Sequence, residues 1–467
     1  MKKLIINRHK LFGTDGIRGT PGVYPLTNEM LSTIASALAQ HLLTSRHCEG
    51  RSPEAISKRC RVVIGKDTRM SGGNIEKILS DNIRAYGIDV MLTGTITTPG
   101  LAYFVKDLKA DAGIMISASH NKASDNGIKF FNDKGYKFSE AEEEDVEDII
   151  FTDMVLKPRL TASRHKGKLI KVKDSHIKYA DFLLSTVTGL NLKGLTVALD
   201  CAFGAASPFA KSVFTRLGAK VVAIHDKPTG HNINEGGAIA PSILKELVLK
   251  SKADIGVAVD GDGDRGILVD DLGQVVDGDC TIAIVARFLA KNNQLPKNTV
   301  VGTVMSNLGL KVCLKESGVD IICTNVGDKY VLEALLNNNL SLGGEQSGHI
   351  IFLDYLSTPD GLLTALKVLQ VMRATGQTLS ELCKCMIKYP QILVNIKVKE
   401  RRPFEQMTVV HDKLTHFNNH LKDDGRILLR YSGTELLARV MVEGKDQSVI
   451  EDIANTLATE IQQEIGI

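Results

Sequence analysis

Residues 195–207 read LTVALDCAFGAAS. A run rich in β-branched and aliphatic residues ends abruptly in a loop of small and polar ones, and the residues after that loop have a pattern compatible with a helix. The same unit recurs at RVVIGKDTR (61–69) and TVVGTVMSNLGL (299–310). The identities do not align, so the recurrence is one of architecture rather than of sequence. Strands alternating with helices argue for α/β layers, with sites at the carboxyl ends of the strands. Helical candidates are 28–43 (NEMLSTIASALAQHLL), 242–251 and 281–292. In the first, Leu31, Ile34, Ala35, Leu38 and Leu42 fall on one face.

The end of the chain reads differently. QILVNIKVKE alternates apolar and polar residues from Val394 to Lys399, and GRILLRYS and LLARVMVEG flank a short turn. A final amphipathic helix uses Ile450, Ile453, Leu457 and Ile461, so a small α+β domain is expected from about 390 onward. A chain of 467 residues exceeds what one core accommodates, and three or four domains are expected. The basic stretch at 45–61 has no periodicity and reads as a solvated loop before a strand.

Composition excludes several classes. A net charge of +3 gives no electrostatic case for a nucleic-acid partner. No 18 apolar residues run together, so no membrane span is expected, and Leu4–Ile6 is too short for a secretory core. Eight cysteines are scattered, with only Cys383 and Cys385 close, which is neither a zinc spacing nor a disulfide framework. A reduced, cytoplasmic protein is the expectation.

The segment VAVDGDGDRG (257–266) gathers Asp260, Asp262 and Asp264 where a strand runs out. Gly261, Gly263 and Gly266 fit a dinucleotide fingerprint, but Asp262 and Asp264 inside that loop would repel a pyrophosphate. The aspartates also open an EF-hand pattern, but Arg265 stands where the turn needs glycine, and a strand precedes. An acidic solvated turn is the plain alternative. The remaining reading is a hard-cation site, for which Mg²⁺ suits carboxylates at i, i+2 and i+4. Three carboxylates with one dication leave a net negative charge, and a phosphate adds more, so cations must arrive from elsewhere, with Arg265 the first.

A source for the phosphate is GIMISASHNKASDNGIKFF (113–131). A strand through Ile116 meets a small polar turn, Ser117 to Asn121, where a hydroxyl can be exposed. A seryl phosphate beside a divalent cation is a competent phosphoryl donor; a helix cap or turn also accounts for the serines.

These two segments resemble the phosphoserine and metal loops of the α-D-phosphohexomutase family. GTDGIRG (13–19), GKDTRMSG (65–72), GGEQSGH (343–349) and RYSGTE (430–435) match in order, so the resemblance covers nearly the whole chain. GTDGIRG, NGIKFF, GEQSGH and SGTE…RVMVEG are most similar to the branch of bacterial phosphoglucosamine mutases.

The resemblance implies three similar mixed-sheet α/β domains plus a smaller C-terminal α+β domain around a central cleft. The expected boundaries are 1–165 (nucleophile), 166–274 (metal), 275–388 (sugar) and 389–467 (phosphate). It implies phosphate on Ser119, and one Mg²⁺ per chain held by Ser119 phosphate, Asp260, Asp262 and Asp264. Phosphoryl then passes to glucosamine 6-phosphate, and the 1,6-bisphosphate reverses to yield glucosamine 1-phosphate for amino-sugar and cell-wall synthesis. A hexose 1,6-bisphosphate serves as activator. Lys129 is implied in proton transfer, Arg18 and Arg265 in clamping the phosphoryl group with His120 nearby, and Lys66 in the same cluster. Glu345 and Ser347 are implied in reading sugar hydroxyls, with His349 pointing into the site. Arg430, Ser432, Gly433 and Thr434 would hold the non-reacting phosphate as a nest, with Arg439 able to help or serving as strand surface. The partner is a phosphosugar, with no nucleic acid and no membrane, and a homodimer is the assembly considered.

Some positions depart from the family. Lys122 and Leu436 replace prolines, Lys329 an arginine, Phe203 an asparagine and Pro359 a glycine. Lys329 bears on the choice among glucosamine, glucose and mannose phosphates, because its loop faces the sugar in the family. A metal-dependent sugar phosphatase and a non-catalytic phosphosugar sensor are the readings from other classes.

Overall fold

A computed structural model describes residues 10–13, 15–48, 59–152, 166–432 and 436–467. Residues 49–58 of the basic stretch, and Gly433 and Thr434 of the phosphate nest, lie outside the described residues. The chain forms two compact units, one of residues up to 305 with 321–383, the other of 306–320 with 384–467.

The larger unit holds three sheets. Strands β1 (Ile17–Gly19), β2 (Arg61–Lys66), β3 (Asp89–Thr95), β4 (Ala112–Ile116), β5 (Asn126–Asn132) and β6 (Leu169–Lys171) lie in the order β1-β5-β4-β2-β3-β6. Strands β7 (Thr196–Asp200), β8 (Lys220–Ile224), β9 (Ile255–Val259), β10 (Gly266–Asp270) and β11 (Val275–Val276) lie in the order β11-β10-β9-β7-β8. Strands β12 (Thr299–Thr303), β13 (Asp320–Thr324), β14 (Leu342–Gly344) and β15 (Ile350–Phe352) lie in the order β13-β12-β14-β15.

One module underlies all three. The stretches 61–69, 195–207 and 299–310 supply its central strand, β2, β7 or β12, which pairs in parallel with β4, β9 or β14. That second strand turns back as an antiparallel hairpin through β5, β10 or β15. The hairpin tips are residues 117–125, 260–265 and 345–349, so the serine loop, the aspartate loop and the GEQSGH loop occupy one equivalent position. β4 and β9 are buried along their whole length, which explains their unbroken apolar reading.

The first sheet extends past the expected boundary at 165. β6 joins β3 in parallel with all three of its residues exposed. It contributes backbone pairing rather than burial: Leu169 and Ile170 are apolar yet exposed, and a strand of three residues is too short for its pattern to mark it. The helix expected at 28–43 runs over Asn28–Cys48, burying Leu31, Ile34, Ala35, Leu38 and Leu42 as the spacing requires. Each large aliphatic side chain so buried contributes about 1.5–3 kcal/mol.

In the smaller unit, β16 (Gln391–Lys397), β17 (Gly425–Tyr431) and β18 (Leu437–Gly444) form an antiparallel sheet in the order β16-β18-β17. The final helix, Gln447–Ile465, packs Ile450, Ile453, Leu457 and Ile461 into a core with Ile396, Val440 and Val442. Residues 306–320 belong to this unit, tied by Asn307 to the Tyr389 backbone at 3.0 Å and by the Leu308 N–H to Glu443 Oε1 at 3.0 Å. Among the described residues, no helix is long and apolar enough to cross a membrane.

Candidate active site

β4 ends at Ile116, and the first hairpin tip opens with Ser117, whose hydroxyl donates to Asp67 Oδ2 at 2.6 Å and accepts the Ser119 N–H at 2.9 Å. Ser119 is thereby set at φ +50°, a left-handed conformation that costs a non-glycine residue roughly 1–2 kcal/mol. Its hydroxyl, 1% exposed as a residue, donates to Asp260 Oδ2 at 2.9 Å and lies 3.4 Å from His120 Nδ1. Burial and the nearby Arg265 and Arg18 pull His120 down to about 4, so at neutral pH its imidazole is uncharged.

The second tip explains its own glycines. A Cβ on Gly261 would lie 2.8 Å from the Ser119 carbonyl, and Gly263 sits at φ +73° with a Thr97 methyl 2.6 Å from its Cβ position. Only bare backbone lets the two tips touch. Asp260, Asp262 and Asp264 are fully buried, and one oxygen of each lies within 4.8 Å of the others. Asp260 Oδ1 accepts the Gly263 and Arg265 N–H groups at 3.1 and 3.3 Å. Burial, then Asp264 and Asp262, push Asp260 up to about 7. Asp262 Oδ2 accepts Thr98 Oγ1 at 2.5 Å and Lys129 Nζ at 2.9 Å, whereas its Oδ1 is buried with no hydrogen-bond partner.

Lys129, on β5, places its ammonium 2.9 Å from Asp262 and Asp15 and 3.4 Å from Asp264. Burial works against this charge, but Asp15, Asp262 and Asp264 overcome it and hold Lys129 well above its ordinary pKa. Asp15 in turn pairs with Arg18 and, at 2.6 Å, with Lys137, which reaches Asp328 at the same distance. Arg18 Nη1 donates to Asn121 Oδ1 at 3.2 Å, and its Nε is buried without a partner.

The third tip closes on the second. Arg265 and His349 form an isolated β-bridge, and the Gly266 N–H donates to the Gly348 carbonyl at 3.0 Å. His349 lies between Asp264 Oδ1 at 3.0 Å and Glu345 Oε2 at 3.2 Å. Burial opposes its charge, but Asp264 and Glu345 lift its pKa to about 10, and the Arg265 Nε lies 3.2 Å from its Nε2. Glu345 Oε1 accepts the Gly327 N–H at 3.0 Å, and Ser347 is exposed at the tip.

Of the sequence-derived candidates, Ser119, His120, Lys129, Arg18, Arg265, the three aspartates, Glu345 and His349 therefore lie in one contiguous network. Lys66 goes elsewhere, its ammonium 2.8 Å from Glu76. Lys329 reaches Glu140 at 2.6 Å, a residue at the start of the helix Glu140–Phe151. Within the smaller unit, Arg430 sits directly opposite Arg439, whose Nη2 lies 3.4 Å from Ser432 Oγ and whose Nε is buried without a partner. Burial and Arg439 both lower the pKa of Arg430.

Sequence reasoning missed several members. Asp15, Asp67 and Arg69 stand inside GTDGIRG and GKDTRMSG, motifs that are legible as wholes but whose spacing does not divide them into roles. Thr98 at the start of a helix, Lys137 in an isolated bridge and Asn234 in a turn carry no spacing signal, because the residues they touch are remote in sequence.

Family models for the phosphoglucomutase/phosphomannomutase α/β/α domains I, II and III match residues 9–156, 177–273 and 277–389, and that for the C-terminal domain matches 393–460. The chain belongs to the phosphoglucomutase/phosphomannomutase family. Two relatives of this phosphohexomutase are phosphoglucosamine mutases. That of Geobacter metallireducens is 45% identical over 98% of this chain and 99% of its own length. That of Chlamydia muridarum is 44% identical over 98% and 97%. Among solved structures, a phosphoglucomutase/phosphomannomutase family protein of Burkholderia thailandensis superposes with TM-score 0.77 at 22% identity, covering 98% of this chain and 99% of that one. Aspergillus fumigatus N-acetylphosphoglucosamine mutase, in complex with GlcNAc-6P and magnesium, gives 0.65 at 17% identity, covering 97% and 95%. Both support the phosphohexomutase fold.

Proposed function

We propose that this phosphohexomutase interconverts glucosamine 6-phosphate and glucosamine 1-phosphate, an isomerisation by phosphoryl transfer through Ser119. The observation that carries the reading is the Ser119 hydroxyl 2.9 Å from Asp260 in a buried, three-carboxylate tip flanked by Lys129. Kinship at about 45% identity with whole-length phosphoglucosamine mutases supports the amino sugar as substrate.

The tip suits a hard dication. Its donors are all carboxylate oxygens, and the orphaned, buried Asp262 Oδ1 has no other use. Asp260, Asp262, Asp264 and the phosphate of Ser119 would hold Mg²⁺, which when bound stabilises negative charge on the transferring group. Around them, the chain supplies the rest. Arg18 and Arg265 are the cations that face an incoming phosphoryl group, with Arg18 Nε still lacking a partner. Lys129 holds its proton in this field, so it acts first as a cation and donor at the reacting hydroxyl. Glu345 keeps acceptor capacity for sugar hydroxyls while His349 fixes its orientation. A hexose 1,6-bisphosphate would load the serine.

Thr98 belongs to the first module, yet it holds the Asp262 oxygen opposite the free one. Thr98→Val, nearly isosteric, should weaken Mg²⁺ binding by about 10–100-fold, the usual cost of losing a partner behind a metal ligand. Titration calorimetry of the purified variant, with Thr98→Ser as the conservative control, tests it; unchanged affinity would remove Thr98 from the account.

A 1,6-bisphosphate that reverses needs a grip on its second phosphate, and Arg430, Arg439 and Ser432 supply one. Like charges directly opposite on neighbouring strands are destabilising, so the pair fits a site completed by an anion. Arg439→Met should raise KM for the phosphosugar roughly 10–100-fold, matching about 1.5–3 kcal/mol for a charged hydrogen bond. The unfolding temperature should hold or rise, because one of two apposed cations is gone. A KM within twofold of the parent would return Arg439 to the role of strand surface.

The test of the whole reading is kcat/KM for glucosamine, glucose and mannose phosphates with Mg²⁺ and a trace of hexose 1,6-bisphosphate. Preference for glucosamine phosphate above about 100-fold, or about 2.7 kcal/mol, is expected. Comparable rates on the neutral sugars would keep the mutase and sink the amino-sugar assignment. Phosphate release without isomerisation would overturn the mutase itself.

A further inference from the structure

Lys122, in the middle of the serine loop, leaves φ free where a proline would fix it. The loop is nonetheless closely held, and one side chain from the first module holds it. Arg69 is fully buried at its side chain, and its Nε donates to Asp67 Oδ2 at 2.9 Å. One terminal nitrogen donates to the Lys122 carbonyl and, at 3.0 Å, to that of Asp125. The other donates to the carbonyls of Ser119 at 2.9 Å and Asn121 at 2.8 Å. A guanidinium has five N–H donors, and all five are spent on one carboxylate and four loop carbonyls. Arg69 therefore has none left for a substrate phosphate.

The second module adds to the same grip. Asn234 Nδ2 donates to the Ser119 and Asn121 carbonyls, each at 2.8 Å. Asp67 orients Arg69 while also accepting the Ser117 hydroxyl, which in turn receives the Ser119 N–H. The backbone of Ser119 is thus fixed at its N–H by Ser117 within the tip and at its carbonyl by Arg69 and Asn234 from outside it, which together over-determine its left-handed φ of +50°.

We propose that Arg69 is a positioning residue: its guanidinium gathers the carbonyls of residues 119, 121, 122 and 125 and so holds the Ser119 hydroxyl against the carboxylate tip. The proposal rests on Ser119 as the phosphoryl carrier. Arg69 acts on transfer and not on binding, so its loss appears in kcat. Asn234 is its weaker counterpart across the module boundary.

The experiment compares the full chain with Arg69→Lys, which keeps the charge beside Asp67 but loses the fork. The expected result is a 10–100-fold fall in kcat with KM within about threefold, the scale of a misplaced reacting group. Trypsin should cleave faster after Lys122, which is exposed and whose carbonyl is no longer held. Adding Lys122→Pro should recover part of the lost kcat. Asn234→Gly, compatible with the φ of +66° at that position and so able to fold, should show a smaller loss of the same kind. A role confined to stability would lower the unfolding temperature while leaving kcat, KM and trypsin cleavage of the folded protein unchanged, with no rescue by proline, and that result overturns the proposal. Failure of the carrier reading is separate: it would appear as full activity in Ser119→Ala, while the trypsin comparison still tests the clamp.

Discussion

Ser119→Ala is expected to lower kcat/KM for the phosphosugar by on the order of 10⁴-fold or more, the scale seen when a nucleophile is deleted from a site that acts as a unit. The fold should survive. Alanine meets the same φ as serine, and Asp260 keeps its bonds from the Gly263 and Arg265 N–H groups after losing the hydroxyl. Calorimetric binding of the phosphosugar should persist, because the groups that face sugar and phosphate lie elsewhere. The variant should also fail to take up label from a radiolabelled hexose 1,6-bisphosphate, which the parent protein accepts covalently. Activity above about one per cent of the parent, on the scale of that loss, would mean that the phosphoryl group travels by another route.

Lys129→Met should show an opposed pair of effects. Its ammonium stands within 2.9 Å of Asp15 and Asp262 and 3.4 Å of Asp264, all in a buried setting. Removing one partner of a buried ionic cluster leaves uncompensated charge and costs about 3–5 kcal/mol, so the metal-free variant should unfold at clearly lower denaturant. The carboxylates freed of the ammonium should bind Mg²⁺ more tightly, and added Mg²⁺ should restore much of the lost stability through mass action. Activity should nonetheless fall about 10²–10⁴-fold, because neither the cation nor the proton at that position is replaced. Denaturant melts with and without Mg²⁺, beside steady-state rates, check all three. An unaltered metal-free midpoint would contradict the electrostatics; activity within tenfold of the parent would remove Lys129 from the chemistry.

How far the sequence can be read depends on how each feature is built. The central strands β2, β7 and β12 are visible because burial on both faces writes an unbroken apolar run. The first C-terminal strand, β16, is visible for the opposite reason, since Ile392, Val394, Ile396 and, just past it, Val398 alternate with exposed neighbours. The three aspartates and Ser119 stand out because their chemistry is concentrated in one short stretch each. β6 leaves too short a trace, since its apolar Leu169 and Ile170 are exposed and only three residues pair with the sheet. Arg69, Asn234 and Thr98 act on residues 50 or more positions away, and nothing local marks a side chain whose partner is a distant carbonyl or carboxylate. Lys66 misleads: it lies in a motif with Asp67 and Arg69, but the strand geometry sends its side chain to Glu76.

The three hairpin tips have a consequence for how the protein can be altered. Each module has a working end, where its tip meets another tip, and a far end where strands are merely joined. At the working ends an inserted residue would collide, since Gly261 and Gly263 already abut the Ser119 carbonyl and Thr97 with no room for a Cβ. At the far end of the second module, the turn after β10 carries exposed Leu272 ahead of Gly273 at φ +76°, on the opposite side of the strands from the carboxylates. Affinity tags, spin labels or short loops placed there should leave turnover intact. The molecule can thus be handled, immobilised or extended by its far ends while its three working ends stay in register.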